Sequence, residues 1–375
     1  MPESAAKAGL EDVVAGPSSV CFVDGVEGRL LYRGYDIKEL AENSSFAEVA
    51  FLLWYGRLPG RKEFDDFLVQ VRKSIELPAE TVQIIKLFPK QATPMEVLRT
   101  AMSSLGHWDP DSGNMATDAS LRKAIRITAR MGAIIAAHQR IRNGAEPIHP
   151  IAGKSVAFNF FYMLHGKEPR PEVERAFDIA LILHADHEFN ASTFAARVTA
   201  ATLSDMYSSV VSAIGTLKGP LHGGANEQVM RLLMEIADPG KAERATLDQL
   251  SRKVKIPGFG HRVYRTEDPR AGVLRKYSEQ MGRLAGDLRW FEISQIVEKT
   301  MRSNTKVYPN VDFYSASTYH SMGIPIELFT PIFAMSRITG WTAHIMEQWG
   351  NNRLIRPRAE YTGPLRLPYV PLDQR

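Results

Sequence analysis

The sequence predicts a mainly α-helical fold, a large helical domain that carries a smaller inserted helical domain. Apolar residues recur at helical spacing along most of the chain, strand patterns are confined to one stretch near the N-terminus, and two glycine-proline breaks bracket residues 219–325. Residues 20–23 and 30–32 flank Asp24-Gly25 and read as a hairpin. Over 121–143, Leu121, Ile125, Ile127, Met131, Ile134 and Ile135 recur with Arg and Lys between them, and Gly144 stops the pattern. Residues 173–183, 192–214 and 227–237 read the same way, the last lying between Gly223-Gly224-Ala225-Asn226 and Asp238-Pro239-Gly240. A further helix over 327–337 has to begin late or kink at Pro331, because proline lacks the donor N–H. Lys218-Gly219-Pro220 closes one helical block and Gly323-Ile324-Pro325 opens another. The expected organisation is a large domain over 1–218, a small one over 219–325, and a return to the large one over 326–375. Four prolines in 351–375 exclude a continuous helix there and predict an extended arm.

Composition narrows the function. With 375 residues, 44% hydrophobic and 23% charged, the chain has the make-up of an ordinary globular protein and not of a disordered or fibrous one. The single Cys21 excludes an intrachain disulfide framework and a cysteine-based zinc site, which suits a reducing compartment. The first residues carry no charged region followed by an apolar run, and no stretch approaches the ~18 apolar residues of a membrane span, so a cytoplasmic protein is expected. G-x-S-x-G, G-x-x-x-x-G-K-[ST] and H-E-x-x-H are all absent, which removes the hydrolases, nucleotidases and metalloproteases that depend on them. The net charge of +4 is unevenly placed: 251–276 holds eight Lys and Arg against two acids, and 351–375 holds five against two. Two concentrated basic segments on an otherwise acidic chain call for anionic partners.

Three segments could carry chemistry. In Leu221-His222-Gly223-Gly224-Ala225-Asn226, His222 sits at a glycine-rich helix entry that favours an anion and a neutral imidazole. A neutral His222 can donate to a developing enolate oxygen; a helix-capping histidine is the structural alternative. In the second segment, Gly258 and Gly260 precede His261 and let backbone approach a ligand closely. There Asp268-Pro269 reads as N-cap and first helical residue, leaving Arg270 in a first turn where a cation needs an anion beside it. A bound carboxylate or phosphate meets that need, and so does pairing with Glu267. In the third, Asp312 lies among Val311, Phe313 and Tyr314, where desolvation raises a carboxyl toward a useful base; a turn aspartate after Pro309-Asn310 is the alternative. His184 and His187 have the spacing of one helix face, but no third ligand joins them and no metal site is expected. Taken singly, Arg337 and Arg356 read as surface charge, and His320, Trp341, His344 and Trp349 as packing residues.

In order along the chain, Val23-Asp24-Gly25, Leu31-Tyr32-Arg33-Gly34-Tyr35, residues 184–194, 219–226, 257–270 and 308–315, Thr339-Gly340-Trp341, His344 and Arg356-Pro357 resemble the citrate synthase family, which includes 2-methylcitrate synthases. The resemblance covers nearly the whole chain and is similar to the short, dimeric bacterial type. It implies condensation of acetyl-CoA with oxaloacetate and water to citrate and CoA, with no metal and no permanently bound cofactor. Asp312 would take a proton from the acetyl methyl group, His222 would stabilise the enol or enolate, and His261 would donate to the 2-oxo acid carbonyl. His187, Arg270 and Arg337 would hold the oxaloacetate carboxylates, with Arg356 reaching in from the second subunit of a homodimer. Arg265 would meet the CoA phosphates, with Ile256, Gly258 and Gly260 on the adenine side and Lys306 near them. The resemblance thus implies small anions, and not nucleic acid, as the partners of the two basic segments. Ala316 stands where many citrate synthases carry glycine and several methylcitrate synthases carry alanine, which makes propionyl-CoA the alternative acyl donor. The rival from another class is a non-catalytic helical dimer that only binds partners.

Overall fold

Sixteen α-helices and one three-stranded sheet make up the described residues, 8–10 and 13–375, of the computed structural model. Strands β1 (Cys21–Asp24), β2 (Arg29–Tyr32) and β3 (Tyr35–Asp36) form an antiparallel meander, with Cys21 opposite Tyr32 and Asp24 opposite Arg29. The helices that follow are α1 (Ile37–Asn43), α2 (Phe46–Tyr55), α3 (Arg61–Lys73), α4 (Ala79–Lys86), α5 (Pro94–Leu105) and α6 (Thr117–Arg142). Next come α7 (Val156–His165), α8 (Pro171–His184), α9 (Ala191–Ala201), α10 (Met206–Leu217) and α11 (Ala225–Ile236). The last are α12 (Pro239–Ser251), α13 (Pro269–Ala285), α14 (Arg289–Asn304), α15 (Val311–Ser321) and α16 (Phe329–Gly350). Short side chains set the starts: Ser45, Ser155, Asn190, Asp205, Asp268 and Asn310 each accept a first-turn N–H. None of these helices is long and apolar enough to cross a membrane.

Two expectations change and one is resolved. The predicted helix over 192–214 is two helices, because Leu203 takes a left-handed φ of 63° and Asp205 then caps α10 by accepting from Ser208 N–H. Of the two options at Pro331 the late start holds and the kink does not: α16 begins at Phe329, which makes Pro331 its third residue, where the N–H would have no partner within the helix, and it runs on to Gly350. His184 ends α8, so His187 lies beyond it and the two histidines do not share a helix face.

Helix α16 is the centre of the core. Trp341, Ile338, Met335 and Ile345 are fully buried on it, and it packs against α2, α6, α8, α9 and α10. Helices α11 to α15 pack largely on one another, α13 and α11 against α15 and α12 against α14, and meet the rest through α13 on α1 and α8, α15 on α8 and α11 on α16. The arm after α16 has no α-helix and exposes Leu354, Tyr361, Leu365 and Tyr369.

One close approach in this core is where α16 meets the turn after α8. Gly340 N–H donates to the Ala185 carbonyl at 3.1 Å, and a methyl group on Gly340 would lie 2.3 Å from Asp186 Oδ1. Gly340→Ala is therefore expected to lower stability by about 1–3 kcal/mol despite its better helix propensity. Gly350→Ala, whose methyl would meet nothing within 4 Å, should stay within about 0.5 kcal/mol of the wild type in urea denaturation.

Candidate active site

A short antiparallel contact brings the second and third segments together. Gly260 N–H donates to Tyr308 O at 2.9 Å, Asn310 N–H to Gly258 O at 2.9 Å, and Asn310 Nδ2 to Gly260 O at 2.8 Å. Gly258 has a left-handed φ of 78°, and any Cβ there would lie 2.7 Å from Val229 Cγ2 and 3.0 Å from the Phe313 backbone. Close packing on α15, more than approach to a ligand, thus requires the glycine. The same contact brings His261 up to the start of α15.

The first-turn arginine of α13 has an internal answer. Arg270 donates from Nε and Nη2 to Asp268 Oδ1 and Oδ2, at 2.9 and 2.7 Å, and both side chains are almost wholly buried. Glu267, the expected partner, instead pairs with Arg275 and Arg302. Asp268 also caps α13 through Arg270 N–H and accepts from Val311 N–H at 3.1 Å, which ties α13 to the first residue of α15. Burial opposes charge on Asp268, but the Arg270 charge and its hydrogen bonds outweigh it and hold the carboxyl below its usual range. Arg337 is buried on α16, donates from Nε to His184 O at 2.7 Å, and keeps its terminal nitrogens without a partner among the described residues. Burial draws its pKa down.

The histidines converge on these arginines. His187 faces Tyr264, with Nε2 3.2 Å from the hydroxyl, and its ring lies 5.0 Å from that of His261. Burial, then the charge of Arg270, holds His187 well below its usual pKa. His222 does not cap α11, whose N-cap is Gly224; its Nε2 accepts from Ser192 N–H at 3.2 Å in the first turn of α9 and lies 2.8 Å from the Ser192 hydroxyl. His261 Nδ1 accepts from the N–H groups of Val263 and Tyr264 at 3.0 and 3.1 Å. Burial, reinforced by Arg337 for His222 and by Arg270 for His261, lowers both pKa values to about 4. Each ring is therefore neutral at pH 7, and the backbone donors fix its tautomer. The proton lies on Nδ1 of His222 and on Nε2 of His261, and each N–H is free to donate.

Asp312 occupies the first turn of α15, not a turn ahead of it, and its backbone N–H is capped by Asn310. Burial pushes its carboxyl up to about 6, against the opposing pull of Arg270. The carboxylate has no hydrogen-bond donor among the described residues.

The remaining candidates lie apart from this cluster. Ile256 is buried in the core, and the Gly258 carbonyl and both backbone groups of Gly260 are taken up by the contact with 308–310. Arg265 and Lys306 are exposed, as is Arg356 on the arm, which makes no ion pair among the described residues. Ser192 and Tyr264, which hold His222 and His187, have no sequence signal, since their partners lie 30 and 77 residues away. His344 is buried as a packing residue but also donates to Asp186 at 3.1 Å. No group of three or more His, Cys, Asp or Glu able to hold a metal ion occurs among the described residues.

A family model described as citrate synthase, C-terminal domain, matches residues 9–358. The chain is 51% identical to citrate synthase 2 of Bacillus subtilis over 98% of each chain. It is 46% identical to the 2-methylcitrate synthase of Mycobacterium tuberculosis, over 95% of this chain and 90% of that one. The crystal structure of citrate synthase from Pyrobaculum aerophilum, 44% identical, matches with a TM-score of 0.93 over 98% of this chain and 95% of that one. With sequence and fold agreeing over nearly its whole length, this chain belongs to the citrate synthase family.

Proposed function

We propose that this chain condenses acetyl-CoA with oxaloacetate and water to give citrate and CoA. One observation carries the proposal: a carboxyl raised toward neutrality and two neutral histidines with free N–H groups share the field of two buried arginines. An acetyl C–H is a poor acid, so its removal needs a base and an enolate stabiliser acting together. Asp312 takes the methyl proton while His222 Nδ1–H donates to the thioester oxygen. The resulting enolate carbon attacks the oxaloacetate carbonyl carbon, His261 Nε2–H hydrogen-bonds the oxygen as it becomes an alkoxide, and the proton taken up by Asp312 is returned to the product. Water then hydrolyses the citryl thioester and releases CoA.

Binding follows charge. Arg270 Nη1, the terminal nitrogens of Arg337, and His187 are available to the two carboxylates of oxaloacetate. Arg356 reaches the site of a second copy in a homodimer; its exposure on an arm with unpacked apolar side chains supports this. Exposed Arg265 and Lys306 meet the CoA phosphates, with the loop of Ile256, Gly258 and Gly260 beside them acting as scaffold. Residues 219–325 form the smaller domain that closes on substrate and excludes water, and the protein works in the cytoplasm. Propionyl-CoA is the second reading. Buried Ala316, one turn beyond Asp312 on α15, and the 46% identity to a 2-methylcitrate synthase favour it.

Purified protein should release free thiol from acetyl-CoA only when oxaloacetate is present; no release would favour the non-catalytic dimer. Acetyl-CoA should react faster than propionyl-CoA by about 10–200-fold, the discrimination one methylene permits, and a reversed ratio would make the chain a methylcitrate synthase. Asp312→Asn should lower kcat by about 10²–10⁴-fold with an unchanged melting temperature. Because a base must be ionised, wild-type kcat/KM should rise with pH through a midpoint near 6, not near the ordinary 3.8. Arg356→Ala should raise the KM for oxaloacetate by about tenfold, the worth of one charge-assisted hydrogen bond, and an unchanged KM would remove the arm from the site.

A further inference from the structure

The β1–β2 hairpin supplies no reacting group, yet it touches both segments that carry the substrate-side histidines. At its base, Tyr32 is fully buried, and its hydroxyl hydrogen is shared between the carbonyls of Ile182 at 3.2 Å and Asp186 at 3.0 Å. The same oxygen accepts from Asp186 N–H at 3.1 Å. That residue immediately precedes His187. At its tip, the Gly25 carbonyl accepts from Arg265 N–H at 2.8 Å, and a methyl group on Gly25 would lie 2.2 Å from the Val263 carbonyl oxygen. Gly28 is also close, with its added carbon 2.8 Å from Thr266 Cγ2. Asp24 makes the tip stiff by accepting from the N–H groups of Val26 and Glu27 at 3.0 and 2.9 Å.

The tip contact bears directly on His261. Its Nδ1 is held by the N–H groups of Val263 and Tyr264, so moving Val263 moves the imidazole. The Tyr264 hydroxyl in turn meets His187. One stiff hairpin therefore grips two segments separated by more than seventy residues, and the His187 and His261 rings that those segments carry lie 5.0 Å apart.

We infer that the β1–β2 hairpin is a spacer that sets the separation of His187 and His261, and with it the fit of a four-carbon 2-oxo dicarboxylate, with Gly25 and Tyr32 as positioning residues. This rests on the reading of the site as an oxaloacetate site. Gly25 is the informative position because its φ is not left-handed, so alanine there carries no backbone strain and acts only through the close approach to Val263.

The test is titration calorimetry of the full chain with oxaloacetate, alongside steady-state kinetics. A misplacement of ~1 Å can cost about 10²-fold, so a part-relaxed shift in Gly25→Ala should weaken oxaloacetate binding and raise its KM about tenfold. Its kcat should fall by a similar factor, because Val263 positions the reacting His261, and its melting temperature should fall as well, as for the equally close approach at Gly340. Tyr32→Phe, which keeps the ring, should move oxaloacetate binding in the same direction by about threefold, the loss of one net hydrogen bond. Gly113→Ala, whose added carbon meets nothing within 4 Å, is the control and should match the wild type. Wild-type oxaloacetate binding in Gly25→Ala, or a Tyr32→Phe variant whose KM for acetyl-CoA rises as much as that for oxaloacetate, overturns the spacer. Failure of the wild type itself to bind oxaloacetate overturns the reading of the site and the spacer with it.

Discussion

The buried pair of Arg270 and Asp268 is the constraint on which the site depends. Two charges taken out of water are costly, and only bidentate geometry with further hydrogen bonds offsets the loss. Asp268 meets that condition by accepting from both guanidinium nitrogens, from the first turn of α13 and from Val311 N–H. Removing either partner would leave the other charge stranded, a cost of about 3–5 kcal/mol in comparable pairs. The pair therefore does two jobs. It fixes the start of α13 against the start of α15, and it places a permanent positive charge beside Asp312 and His261.

Arg337 completes the electrostatics by being less satisfied. It has one carbonyl acceptor and no carboxylate partner among the described residues, so it holds positive charge that an anionic ligand can neutralise. The histidines stay neutral beside two arginines because burial and like charge both resist protonation. Backbone N–H groups then occupy one nitrogen of His222 and of His261, leaving the other to donate. Neutral donors, a raised carboxyl and an arginine with no carboxylate partner are what enolate formation beside a dianion requires.

Much of this was legible in residue order. Helix periodicity located α6, α8 and α11, the Asp268-Pro269 pair gave the start of α13, and Asp24-Gly25 gave the hairpin. Where the reading failed, a competing local signal was available or a distant group decided. Asp205 carries an N-cap signal that could have divided 192–214, but its apolar spacing ran through. For Arg270, residue order offers a bound anion or Glu267 as partner, whereas the capping Asp268 already lies within reach of its guanidinium.

The sequence by itself determined the helical class, the glycine-flanked histidines, the first-turn arginine and the family motifs, because periodicity, caps and backbone freedom are properties of neighbours in the chain. Only the tertiary structure decided which nitrogen of each histidine is free, that Arg337 is buried near His222 and His187, and that the hairpin grips both histidine segments. Those outcomes depend on contacts such as Ser192 with His222 and Gly340 with Ala185, formed between residues 30 and 155 positions apart. Burial, charge and hydrogen-bond supply at each group are set by such distant neighbours, and no local pattern encodes them.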